Sequence, residues 1–135
     1  MTSELLLLAT LLFVYLLQKR VLTIEVHYKP SSWTIDASPP TTWQARIYLD
    51  PATIQTDSLM LETLKPTSVE TATTYVGVTA YFNGLDFARL LLQKIGEATP
   101  GSYQVSVVLS GRLRNNTCIR GVNSITVIIP EPSPP

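Results

Sequence analysis

Histidine, cysteine and clustered acids are where hydrolytic, redox or metal chemistry would have to start, and this chain offers few of them in useful combinations. His27 is the only histidine, so a His-based metal cluster cannot form, and a Ser-His-Asp or Cys-His arrangement would rest on that one side chain. It falls on the polar parity of an alternating stretch, where a solvated strand histidine is the plain reading. Cys118 is the only cysteine. Arg120 nearby would favour its thiolate, yet no base accompanies it in sequence, and an intramolecular disulfide is excluded. Asp50 and Asp57 flank one loop and could share a calcium ion with backbone carbonyls, but calcium draws on several oxygen ligands, and an Asx turn suits an Asp-Pro dipeptide better. There is no glycine-rich phosphate loop, no paired acids on a common element and no nucleophile elbow. The expectation is a protein without catalytic residues, metal or cofactor.

Binding chemistry is better represented. Arg112, Arg114 and Arg120 crowd one hairpin and make its tip basic, which suits anionic lipid headgroups, glycans or an acidic patch on a partner protein. Trp33, Trp43 and Tyr81 could serve as stacking surfaces for a glycan or other small molecule. Trp33 and Tyr28 also fit an interfacial belt at headgroup level, with core packing as the competing reading. Asn115-Asn116-Thr117 is an N-glycosylation acceptor pattern. Across the 135 residues the formal net charge is zero and 15% are charged, so the field that draws proteins onto nucleic acid is missing.

The elements that must position these groups are mostly strands. Leu22, Ile24, Val26 and Tyr28 alternate with Thr23, Glu25, His27 and Lys29, the pattern of a half-buried strand. Trp43, Ala45, Ile47 and Leu49 repeat it until Asp50-Pro51. Leu59 and Leu61 mark another strand within 58–64, and Val76, Val78, Ala80 and Phe82 a fourth, ended by Asn83-Gly84, a dipeptide tolerant of positive φ. From Asp86 a helix places Phe87, Leu90, Leu91 and Ile95 on one face, and Gly96 supplies its stop. Tyr103, Val105, Val107 and Leu109, then Ile125, Val127 and Ile129, complete the series. Six or seven strands with an inserted helix predict a mainly β fold, an antiparallel sandwich, with a closed barrel as the structural alternative. One domain is expected over 21–130, between an apolar head (1–20) and a proline-rich tail (131–135), and the tail should be extended.

The head is the clearest clue to location. Ser3 is placed to cap a helix over about 4–20, and Leu5, Leu8, Leu12, Phe13, Leu16 and Leu17 make it an anchor for membrane lipid. The run from Leu5 to Leu17 is 13 residues, against about 20 for a bilayer core. A short span, a cleaved leader and a helix packed among other subunits therefore all remain readings of it. Lys19 and Arg20 would hold the following domain in the cytoplasm, whereas the Asn115 sequon has meaning only outside it.

Several segments in order carry a resemblance. Leu49-Asp50-Pro51-Ala52-Thr53-Ile54, Asp57-Ser58-Leu59-Met60-Leu61, the helical Phe87-Ala88-Arg89-Leu90-Leu91, Val107-Val108-Leu109-Ser110-Gly111-Arg112-Leu113 and Ser124-Ile125-Thr126-Val127-Ile128 resemble the immunoglobulin-like modules of prokaryotic surface proteins, over roughly residues 43–130. The resemblance implies an immunoglobulin-like sandwich that is noncatalytic, adhesive or spacing in role, and displayed outside the cell. Where such modules often place an acid before the final strand this chain has Val122 and Asn123, and its hairpin turn is expected to run from Arg114 to Gly121. Calcium or docking roles of relatives are therefore not carried over. The resulting expectation is a non-catalytic, membrane-anchored envelope subunit that contacts lipid and other protein subunits, its own copies included, but not nucleic acid. Its rivals are a filament or virion subunit and a glycan-binding module.

Overall fold

The computed structural model describes residues 4, 6–11, 21–35, 38–96 and 99–132. Among them nine strands and one long helix occur: β1 (Val21–Thr23), β2 (Glu25–Lys29), β3 (Ser32–Thr34), β4 (Thr42–Tyr48), β5 (Ile54–Leu61), β6 (Ser68–Thr71), β7 (Val78–Asn83), α1 (Gly84–Ile95), β8 (Gly101–Leu113) and β9 (Cys118–Ile129). They form two sheets, ordered β1-β9-β8-β5, with β3 also on β9, and β2-β4-β7-β6. The closed barrel is thereby ruled out in favour of the sandwich. The count exceeds the six or seven expected, because the first alternating run is divided and the short β3 and β6 escape a period-2 reading.

That division governs the architecture. Val21, Leu22 and Thr23 pair in parallel with Cys118, Ile119 and Arg120; the Ile24 amide still bonds to the Arg120 carbonyl at 3.0 Å. The chain then crosses to the other sheet, where β2 pairs antiparallel with β4, and returns as β3 to run parallel to β9 at Trp33 opposite Val127. Crossing needs room. A Cβ on Gly121 would lie 2.8 Å from Val26 Cγ1 and 3.1 Å from the Ile24 carbonyl oxygen, so a glycine is required there. Asn123 Nδ2 donates to the Val26 carbonyl at 2.8 Å, satisfying a backbone acceptor at the crossing.

The strand order is compatible with an immunoglobulin-like module: one sheet runs in the A-B-E-D order, the other carries G-F-C, and α1 fills the connection before strand F. The Tyr103 hydroxyl donates to the Thr99 carbonyl at 2.6 Å, a bond placed like the tyrosine corner of such domains.

Inward parities build the core. Trp43, Ala45 and Ile47 from β4 meet Val105, Val107 and Leu109 from β8, and Ile125 and Val127 from β9. Phe87 of α1 stacks on Trp43 at 4.6 Å with planes 7° apart, so the helix closes one end of the sandwich. Phe87 and Leu91 are fully buried, Leu90 and Ile95 partly, as the helical spacing predicts. Asn83-Gly84 is not the positive-φ turn expected. Asn83, at φ −59°, caps the helix by accepting from the Asp86 amide, and Gly84 is needed because a Cβ there would sit 1.5 Å from the Pro40 carbonyl oxygen. Val76 is likewise outside its expected strand, 74% exposed, in the connection that precedes β7. The strand expected over 58–64 is β5, which begins at Ile54 and ends at Leu61 after a bulge between Gln55 and Met60.

The expected helix over 4–20 is seen as a helical segment over 6–11, in which Leu6, Leu7, Leu8 and Leu11 are 58–63% exposed. No helix among the described residues is long and apolar enough to cross a membrane. Ser3, Leu5, Leu12, Phe13, Leu16 and Leu17 lie outside the described residues, as does the tail beyond Pro132.

Two stability measurements follow. Gly121→Ala should destabilise by about 1–3 kcal/mol, since Val26 is too stiff at χ1 to retreat; a denaturant midpoint unchanged from wild type would refute the crossing as a tight contact. The buried Tyr28 hydroxyl donates to the Val107 carbonyl at 2.9 Å. Burial first, and the charge of Glu62 second, push its pKa well above the ordinary tyrosine value. The fold thus favours the protonated form, so its contribution is complete below pH ~10 and declines as pH rises above that value toward the folded pKa. Tyr28→Phe should cost about 1–2 kcal/mol at neutral pH and flatten the loss of stability above pH ~10 in urea titrations.

Candidate functional site

One pole of the sandwich gathers the groups with binding chemistry. The β8–β9 hairpin turns there: the Leu113 amide bonds to the Thr117 carbonyl at 2.8 Å, and the Asn116 amide to the Leu113 carbonyl at 2.9 Å, with Asn116 at φ 66°. Asn115 Oδ1 accepts from the Thr117 amide at 3.0 Å. The turn is therefore Arg114–Thr117, shorter than the Arg114–Gly121 connection expected, because strand pairing already begins at Arg112 opposite Cys118. Val122 and Asn123 correspondingly lie inside β9, not ahead of it. Arg120 sits in β9 opposite Ser110, which puts it on the same outward face as Arg112, one diagonal step of roughly 7–8 Å away. Arg114 projects from the tip, its amide tied to the Thr53 carbonyl at 2.8 Å. All three guanidinium-bearing residues are exposed. The ion pairs among the described residues, His27–Glu25 and Lys94–Glu62, involve none of them.

The structure adds what the sequence left open: where the chain after the head joins the sandwich. Val21, the first described residue after the head, stands opposite Cys118, and Thr23 opposite Arg120. The chain thus enters the sandwich at the arginine pole. Val21 is 50% exposed there, an apolar shoulder beside the basic tip.

The other sequence candidates separate. His27 is exposed, 2.8 Å from Glu25, with its ring edge against Tyr48. Asp50 accepts from the Ala52 amide at 3.0 Å and caps a short 3-10 turn, while Asp57 lies in the bulged part of β5. No group of three or more His, Cys, Asp or Glu among the described residues could hold a metal ion. Cys118 is half-buried at the start of β9. Trp33 and Trp43 are 8% and 0% exposed: they are core residues, and so is Tyr28, which removes both the stacking platform of two tryptophans and the interfacial belt. The reason is parity, since Trp43 shares its face with Ala45 and Ile47. Only Tyr81 of that trio reaches the surface.

One surface was missed. The outward parity of β4, Gln44-Arg46-Tyr48, combines with Glu70 and Tyr81 on the face of the second sheet, and Tyr75 folds onto it from the β6–β7 connection. The signal was present as the polar half of the β4 alternation, but its partners come from two other strands and a loop. Comparison of the chain with protein-family models, curated proteins and solved structures gives no match.

Trp43→Ala should lower stability by about 3–5 kcal/mol, whereas Tyr81→Ala should stay within about 0.5 kcal/mol. Equal effects in thermal unfolding would contradict the assignment of one to the core and the other to the surface.

Proposed function

We propose that the chain is a non-catalytic, membrane-anchored envelope protein, a structural or accessory subunit of a surface assembly, with its sandwich on the extracytoplasmic side. The observation that carries this reading is the entry of the chain at Val21, beside the arginines, after a segment of exposed leucines. A helical segment that exposes Leu6, Leu7, Leu8 and Leu11 has an apolar face wider than one narrow stripe and calls for lipid or other subunits against it. The chain enters the sandwich at Val21, at the pole bearing Arg112, Arg114 and Arg120, where anionic headgroups or an acidic partner would complement it. The A-B-E-D and G-F-C strand orders and the Tyr103 corner support the immunoglobulin-like assignment and, with it, a role in display and contact. The 13-residue run is short for a span, which supports a second reading, a filament or virion subunit whose head packs among its neighbours.

Protease added to intact cells should remove the sandwich, and extraction should need detergent; protection until the cells are permeabilised would overturn the proposed side. Recovery as long polymers without detergent would favour the second reading. If the domain passes through a glycosylating compartment, Asn115→Gln should abolish a glycan mass shift, because the sequon lies in an exposed turn. Replacing Arg112, Arg114 and Arg120 together with Ala should weaken binding of the full chain to anionic vesicles by roughly a hundredfold at low salt. Unchanged binding would remove the arginine pole from the argument.

A further inference from the structure

The outward face of the β2-β4-β7-β6 sheet holds a second feature, far in sequence from the head. Register sets rows across it: Arg46 faces Thr79, which faces Glu70, and Gln44 faces Tyr81. The β6–β7 connection turns back over this face. The Tyr75 hydroxyl donates to the Val78 carbonyl at 3.0 Å and shares a 2.7 Å hydrogen bond with Thr79 Oγ1, and its ring packs on Tyr48 at 4.7 Å. Between this pinned loop and Tyr81 runs a groove of about 190 Å³ with Gln44, Arg46, Glu70 and Thr79 along it.

Arg46 is the residue that points to a ligand. Its guanidinium lies 5.9 Å from the Tyr75 ring centroid, which fixes its position, yet it makes no hydrogen bond or ion pair among the described residues. A half-buried planar fork of five donors is thus held over the groove without an acceptor. Opposite it, Glu70 accepts from the Tyr81 hydroxyl at 3.2 Å, which steadies that ring and leaves carboxylate lone pairs to spare. The volume is below the roughly 300 Å³ at which drug-sized pockets begin, and one cation facing one anion disfavours a polyanion.

We propose that this groove binds an acidic sugar, a uronic acid residue of a glycan. Arg46 takes the sugar carboxylate in bidentate fashion. Glu70 and Gln44 exchange hydrogen bonds with ring hydroxyls, and the Tyr81 ring covers the C–H face of the pyranose. The site differs from the tryptophan platform anticipated from sequence, and it does not depend on how the head is anchored.

The test is calorimetric titration of the full chain, in detergent, with glucuronate and with glucose. Saturable binding is expected, at least about tenfold tighter for glucuronate than for glucose. Arg46→Lys should lose about tenfold because an ammonium cannot form the fork, Tyr81→Ala a similar factor, and Arg89→Ala, at an exposed helix position, nothing. Thermal melts of each variant report folding separately, and the glucuronate-to-glucose ratio on the wild-type chain needs no variant at all. Equal affinity for glucose, full competition by inorganic phosphate, or absence of saturable binding each overturns the proposal, and none of these bears on the envelope reading.

Discussion

Two sheets lay claim to the first strand, and the way that conflict is resolved shapes the rest of the molecule. β9 pairs with β8 along its length, but on its other side it has β1 at one end and β3 at the other, with β2 departed to the opposite sheet between them. A backbone that leaves a ladder strands polar groups, which is costly when they are buried. Here the Asn123 side chain supplies the donor that a strand would have given, and Gly121 removes the one Cβ that would keep the sheets apart. Because β2 can approach so closely, Tyr28 reaches the Val107 carbonyl across the interior, and Trp43, Phe87 and Ile125 fill what remains. The core depends on that crossing.

Much of this was legible in the sequence, and what was not has physical causes. β4, β8, β9 and the helix announce themselves because each keeps one parity or one helical face inside. The crossing at Ile24 is invisible for a related reason: Ile24, Val26 and Tyr28 stay inward while their hydrogen-bond partners change sheets, so period-2 alternation continues unbroken through a change of neighbour. β3 has too few residues to show a period, and β6 offers only Val69 toward the core. The arginine tip could be read because a hairpin is local. The Arg46 groove could not, because β4, β6 and β7 contribute to it from three separated stretches. The tryptophans mislead for yet another reason, since residue type alone does not distinguish a stacking surface from a core filler; the company of Ala45 and Ile47 does.

The open edge of β8 is handled with equal economy. β5 pairs with β8 only as far as Leu61 opposite Leu109, which leaves the stretch nearer Tyr103 without a strand beside it. Lys94 of α1 donates to the Ser106 carbonyl at 2.7 Å and pairs with Glu62, whose own amide bonds to the Val108 carbonyl at 3.0 Å. A charged side chain placed against a free edge discourages another chain from extending the sheet. This flank is thereby blunted against strand addition.

The parallel pairing of β1 with β9 has a mechanical meaning. The chain comes in at Val21, beside the start of β9, and goes out past Ile129, at the far end of a strand of 12 residues that spans about 40 Å at roughly 3.4 Å per residue. Tension between the two ends slides β1 and β3 along β9 lengthwise, so their hydrogen bonds bear the load together in shear and are not unzipped one after another. The strands that would slip first are set at the crossing that also closes the core.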